Sequence, residues 1–135
     1  MSMASYHLQI VTPDRMVFDG QVQSLIVRTV TGDACILAGH IDYAVALAIG
    51  QAKVVDDKGK TRTAACSGGM LSVSGGQARV MATTFEWSDE IDLARAEEAK
   101  RQAEERMQAL RRGDQQFASA EAKLKRAIAR IGAKK

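Results

Sequence analysis

Proline is almost missing from this chain. Pro13 is the only one in 135 residues, so no other position has its φ fixed or its backbone donor removed. Two cysteines, Cys35 and Cys66, and two histidines, His7 and His40, stand at no CxxC or Cys/His spacing, which leaves neither a zinc site nor a disulfide framework to expect. Both thiols are expected to be free and buried. His7 alternates outward on a predicted strand and His40 follows Gly39 in a predicted loop, with no metal ligand at either. Aromatic residues are 4% of the sequence, too thin a supply for a stacked sugar- or ligand-binding face. No apolar run approaches the ~20 residues that a bilayer span needs, and Met1 to His7 has neither the basic stretch nor the apolar core of a signal peptide. GxxxxGK[ST] is absent, and no Ser/His/Asp set or carboxylate pair is nominated by spacing. An independent enzyme is therefore not expected.

What is present divides sharply at Trp87-Ser88. Nine of the 11 glycines and Pro13 precede the division, and only Gly113 and Gly132 follow it. Seven basic and seven acidic side chains balance up to Trp87, whereas 12 basic and nine acidic ones follow, so the whole net charge of +3 belongs to the second part. That excess, interleaved with Glu97, Glu98, Glu104 and Glu105, is not the dense basic stripe that duplex DNA favours, and no nucleic-acid partner is expected. It suits an amphipathic arm facing an acidic protein. With 46% hydrophobic residues the chain has enough for one compact domain, residues 1–87, and an appendage, residues 88–135.

The first part reads as short strands. Leu8 and Ile10 alternate with polar neighbours, and Ser24 to Val30, Tyr43 to Ile49, Ala52 to Val55, Arg62 to Ala65, Met70 to Val73 and Arg79 to Thr84 continue the series. Turn signals separate them at Asp19-Gly20, Gly32-Asp33, Gly39, Gly50, Lys58-Gly59, Gly68-Gly69 and Gly75-Gly76. Such a pattern predicts an antiparallel β-sandwich or a flattened barrel.

The second part reads as an antiparallel two-helix hairpin, which makes the fold class α+β. Ser88 or Asp89 is a candidate cap, and Ile91, Ala99, Ala103, Met107 and Leu110 recur at helical spacing, with Glu97 placed to pair with Arg101. Gly113 stops the first helix and Asp114 caps the second, whose stripe is Phe117, Leu124, Ile128 and Ile131 with Ala120 and Ala127 beside it. A seam made mostly of alanine has little apolar area to offset the ordering of two helices. The hairpin is predicted to be marginal and able to detach.

In order and spacing, Gly39-His40, then Ser67-Gly68-Gly69-Met70-Leu71-Ser72-Val73, then Asp92-Leu93-Ala94-Arg95-Ala96-Glu97-Glu98-Ala99-Lys100-Arg101 resemble the epsilon subunit family of the F-type ATP synthase. The resemblance covers essentially the whole chain. It departs where Ala34-Cys35-Ile36-Leu37-Ala38-Gly39-His40 replaces the usual Leu-Gly-Ile-Leu-Pro-Gly-His, and where Asp42-Tyr43-Ala44 replaces Pro-Leu-Leu. It implies a non-catalytic central-stalk (rotor) subunit, peripheral at the cytoplasmic face of the cell membrane and bound there only through its complex. Its sandwich would bind the gamma subunit and the c-ring, coupling ion flow to ATP synthesis.

The resemblance also implies sites. Asp33 and His40 match positions of rotor contact. A basic face of Arg111, Arg112, Lys123, Lys125, Arg126 and Arg130 would meet the alpha and beta catalytic subunits when the hairpin extends and blocks ATP hydrolysis. Ile91, Asp92, Arg95 and Ala96 match the Ile/Leu-Asp-x-x-Arg-Ala motif by which some epsilon subunits bind regulatory ATP, and Glu86, Arg126 and Arg130 match further positions of that site. Gln102 stands where one arginine is expected. No cofactor is otherwise required. A ligand-binding sandwich adaptor and a basic helical nucleic-acid binder are the alternative readings, and neither accounts for the whole chain.

Overall fold

The computed structural model describes residues 4–111 and 113–134. Six strands are followed by a 3-10 turn and two helices: β1 (Tyr6–Val11), β2 (Met16–Thr29), β3 (Gly32–Leu37), β4 (Tyr43–Asp56), β5 (Thr61–Ser74), β6 (Gln77–Trp87), the 3-10 turn Ser88–Glu90, α1 (Leu93–Ala109) and α2 (Gln115–Lys134). This is the α+β arrangement of a β-sandwich and a helical hairpin. Alternation sets the inward face, with Tyr6, Leu8 and Ile10 buried on β1 and Leu25 and Val27 on β2. Burying such an aliphatic side chain contributes about 1.5–3 kcal/mol, and the sandwich holds most of them.

Strand order is β1-β6-β5-β4-β2-β3, and β1 pairs β2 as well, so five strands close a flattened ring with β3 on its outside. One pair refines the antiparallel expectation: β1 runs parallel to β6, with Leu8 opposite Ala78 and Val11 opposite Met81. Gly39, Lys58-Gly59 and Gly75-Gly76 are turns, as their composition predicts. Asp19-Gly20, Gly50 and Gly68-Gly69 are not turns but lie inside β2, β4 and β5. The strands are long because they bend instead of ending. β4 and β5 lose register pairing between Ala46/Met70 and Gly50/Cys66. Gly69 sits there at φ +107°, where an added Cβ would come 1.9 Å from the Met81 carbonyl oxygen. The turn predicted at Gly32-Asp33 falls two positions earlier, at Val30-Thr31, and the residues after it form β3, a strand that turn residues had hidden.

Trp87 ends the sheet. Its ring meets Phe85 and Phe18 edge-on, with centroids 5.0 and 6.2 Å away, and the Arg62 guanidinium lies 3.8 Å over it. Neither Ser88 nor Asp89 caps α1. Those residues form the 3-10 turn instead, and Asp92 is the cap, its Oδ1 accepting from the Arg95 backbone N–H at 3.1 Å. Asp114 accepts from the Gln116 N–H at 2.9 Å at the start of α2, after Gly113 at φ +90°.

The helical seam differs from its predicted stripe. On α1 and α2 the buried residues are all alanine: 96, 103, 120, 127, 129 and 133. Ile128, predicted on the stripe, is 49% exposed. Small side chains let the helix axes approach closely, which pushes the larger ones to the flanks of the contact. α2 packs on β4 and β5 and α1 packs chiefly on α2. A small cluster of Ala65, Ile91, Ala129 and Ala133, with Ile49 beside it, joins hairpin to sheet. Arg101 pairs not with Glu97 but with Glu98 and Glu105, one turn to either side. Of the two thiols, Cys66 is buried and Cys35 is exposed on β3, the outermost strand.

Candidate functional site

The residues of the predicted nucleotide motif come from three elements. Glu86 is the penultimate residue of β6, Ile91 and Asp92 lie between the 3-10 turn and α1, and Arg95 and Ala96 occupy its first turn. Arg130 reaches them from α2, its Nε donating to Glu86 Oε1 at 2.7 Å across a half-buried contact. Together these six line one cleft of about 340 Å³. That is near the lower end of the ~300–1,000 Å³ typical of ligand pockets. Ile91 and Ala96 are buried and form its floor, while Arg95 is exposed at its mouth.

Two residues absent from the motif shape the same place. Glu90 lines the cleft and accepts from the Trp87 N–H at 3.1 Å. Its two oxygens also accept from Arg15 Nη2 at 3.1 and 3.0 Å, a clamp between the β1–β2 turn and the linker. Arg15 and Glu90 are 75 residues apart, so no local signal pairs them. Further latches hold the end of α2: Thr63 Oγ1 donates to the Ala133 carbonyl at 3.0 Å and Lys134 Nζ to that of Ser88 at 3.0 Å.

Arg126 is not in this cleft. It faces a neighbouring groove of about 950 Å³ between α1 and α2, to which Arg130 and Ala99 also belong. Gln102 lies in that groove, its Nε2 donating to Glu98 Oε1 at 3.2 Å. Arg101 is turned away, forked onto Glu98, whose carboxyl the Arg101 hydrogen bond holds below the usual carboxylate range.

The predicted basic face does not form one surface. Lys123, Arg126 and Arg130 share the groove side of α2, as residues three and four apart must. Lys125 projects to the other side, into a groove of about 990 Å³ between α2 and the sheet. Arg111 is in the link between helices, and Arg112 lies outside the described residues. Asp33 and His40 are likewise separated, since Asp33 is the second residue of β3 and His40 lies beyond the strand's other end. Asp33 pairs with Arg28 at 2.9 Å, whereas His40 Nδ1 lies 2.7 Å from the Ile41 carbonyl. Among the described residues no group of three or more His, Cys, Asp or Glu is placed to hold a metal ion, and no described helix is long and apolar enough to cross a membrane.

Comparisons with known proteins agree with this architecture. Residues 5–88 match the family model "ATP synthase, Delta/Epsilon chain, beta-sandwich domain" and residues 89–135 match "ATP synthase, Delta/Epsilon chain, long alpha-helix domain". The chain is similar to the ATP synthase epsilon chain of Ruminococcus albus, with 39% identity over 96% of each chain. It is also similar to that of Alkaliphilus metalliredigens, with 45% identity over 78% of this chain and 79% of the relative. Its fold resembles a chain in the Euglena gracilis mitochondrial ATP synthase, with a TM-score of 0.84 at 24% identity over 98% of this chain and 83% of that one. The chain belongs to the delta/epsilon chain family of ATP synthase, as a non-catalytic epsilon subunit of that complex.

Proposed function

We propose that this chain is a central-stalk subunit that couples ion flow to ATP synthesis and regulates ATP hydrolysis through its hairpin, which binds ATP when docked. In this reading the sandwich binds gamma and the c-ring, with Asp33 and His40 in two separate rotor contacts. The complex holds the chain at the cytoplasmic face of the membrane. An extended hairpin would turn Lys123, Arg126 and Arg130 towards acidic segments of the alpha and beta subunits, an attraction that salt weakens. Two packings of one helical element need differ by only a few kcal/mol to be switchable.

The observation that carries the nucleotide part is the meeting of Glu86, Ile91, Asp92, Arg95, Ala96 and Arg130 in one cleft, with contributions from sheet, linker and both helices. A ligand there would touch every part that must stay together for the hairpin to stay docked. The donor set fits a nucleotide: arginines for phosphate, and carboxylates to accept from the adenine amine and ribose. At ten times its dissociation constant ATP would stabilise the docked hairpin by about 1.4 kcal/mol. Isothermal titration with ATP, with and without Mg2+, beside an Arg95→Ala/Arg126→Ala variant, tests this. Saturable binding that the variant loses is expected, and no heat at millimolar ATP would remove the nucleotide role. Pull-down with gamma and the c-ring, with a heparin column as the contrast, tests the rotor role.

A further inference from the structure

We propose that Arg15, which stands outside the cleft, is a positioning residue for the nucleotide. It holds the Glu90 carboxylate and offsets a charge that would otherwise turn the triphosphate away. This rests on the ATP reading above and deepens it. The charges on the cleft walls carry the argument. Glu86, Glu90 and Asp92 line the cleft against only Arg95 and Arg130, which leaves one negative charge in excess where an anion must enter. Two of the three carboxylates are answered from the hairpin. Arg130 donates to Glu86, and Asp92 caps α1, where the positive end of the helix favours a carboxylate. Glu90 is answered by neither arginine of the cleft. Its ion pair is with Arg15 of the β1–β2 turn, which is not a lining residue, so this cation neutralises the cleft from behind without occupying it.

The hold on Glu90 does not involve the hairpin. Arg15 Nη2 donates to both carboxylate oxygens, at 3.1 and 3.0 Å, and the Trp87 N–H donates to Oε1 at 3.1 Å. Arg15 belongs to a sandwich turn, and Trp87 ends β6 with its ring in the sandwich core. The sandwich side of the cleft therefore keeps its charge balance whether or not α1 and α2 are docked. Without Arg15, Glu90 would keep only the hydrogen bond from Trp87. Its charge would then face Arg95 and Arg130, the two cations on the cleft wall, and compete with phosphate oxygens for the same guanidiniums. Half of the Arg15 side chain is exposed, so water and salt screen this effect to a modest factor.

The test is titration of the full chain with ATP and ADP at low and high salt, comparing wild type with Arg15→Gln, Glu90→Gln and the double variant. Arg79→Gln is the control. It removes the same charge from β6, seven residues before Glu86 and about 23 Å along the strand. At low salt the ATP affinity of Arg15→Gln is expected to fall about three- to tenfold, and that of Glu90→Gln to rise. The double variant should return to within about twofold of wild type, where the control also stays. The loss in Arg15→Gln should be larger for ATP than for ADP and shrink at high salt. A clamp that serves only folding or docking gives another order: Glu90→Gln loses as much as Arg15→Gln, the double variant stays weak, and ATP and ADP fall by the same factor. That order, an equal loss in the control, or unchanged ATP affinity in Arg15→Gln would each overturn the role of Arg15 while leaving ATP binding intact. Absence of saturable ATP binding by the wild type would remove the nucleotide reading itself, and this inference with it.

Discussion

At Glu86 a single carboxylate joins the last strand of the sandwich to the last helix of the hairpin, and both partners of the Glu86–Arg130 contact keep about a third of their side-chain surface in water. A pair so placed is partly screened. Glu86→Gln is expected to weaken docking by about 0.5–1 kcal/mol, raising the detached population roughly two- to fivefold while leaving the sheet unchanged. Amide exchange in the second half of α2, measured against exchange in β5, checks it, and equal acceleration in both would show a global effect instead. The glycines make a sharper contrast. Gly69→Ala places a Cβ against backbone at a positive φ and is expected to cost at least about 2 kcal/mol, lowering Tm by several degrees. At Gly132 a Cβ would come 2.1 Å from Gln51 Nε2, the tip of a flexible side chain that can swing away, and alanine gains up to about 1 kcal/mol of helix propensity. Gly132→Ala should therefore lie within about 1 kcal/mol of wild type, and a Tm loss matching that of Gly69→Ala would show that Gln51 is fixed.

The helices bury only alanine at their seam, and α1 packs chiefly on α2. Local stability follows local apolar burial. Hydrogen exchange should therefore resolve the hairpin as one unit opening well before β2, β4 and β5, by at least about two orders of magnitude in rate. If hairpin and sheet exchange together, the hairpin is a fixed part of the fold and cannot serve as a switch. At this scale the sequence was informative in places and silent in others. Helix existence, the break at Gly113 and the cap at Asp114 were legible because they are local: a backbone conformation and a hydrogen bond two residues long. Six of the seven motif residues also share a cleft, since spacing on one turn fixes Asp92, Arg95 and Ala96 relative to each other. What was not legible is set by contacts across the chain. Alanine takes the seam because two helices come close together. Gly68-Gly69 lies in a strand because β6 passes against it, and Arg15 meets Glu90 only after the sandwich has closed.

Over the whole molecule, the sandwich core keeps two weak acids neutral. Burial pushes the Cys66 thiol up to about 12, and it pushes the Tyr6 phenol, which donates to the Ile36 carbonyl at 2.7 Å, further still. In both cases the folded pKa is raised above the unfolded one, so the native chain holds protons that the unfolded chain gives up. Stability from Cys66 is then complete below about pH 9, its ordinary value, and is lost as pH rises towards 12. Denaturant midpoints should be flat up to about pH 9 and fall above it, while Cys66→Ala flattens the first part of that fall. A fall of the same size in the variant would assign the effect to Tyr6 alone. The same core also has an order of assembly written into it. Because β1 lies parallel to β6, the first strand cannot complete its neighbours until the last strand has been made, so nascent chains shorter than about Trp87 must wait with β1 unpaired on one side. α2 follows all six strands in the chain, so the face of β4 and β5 on which it packs belongs to strands made before it.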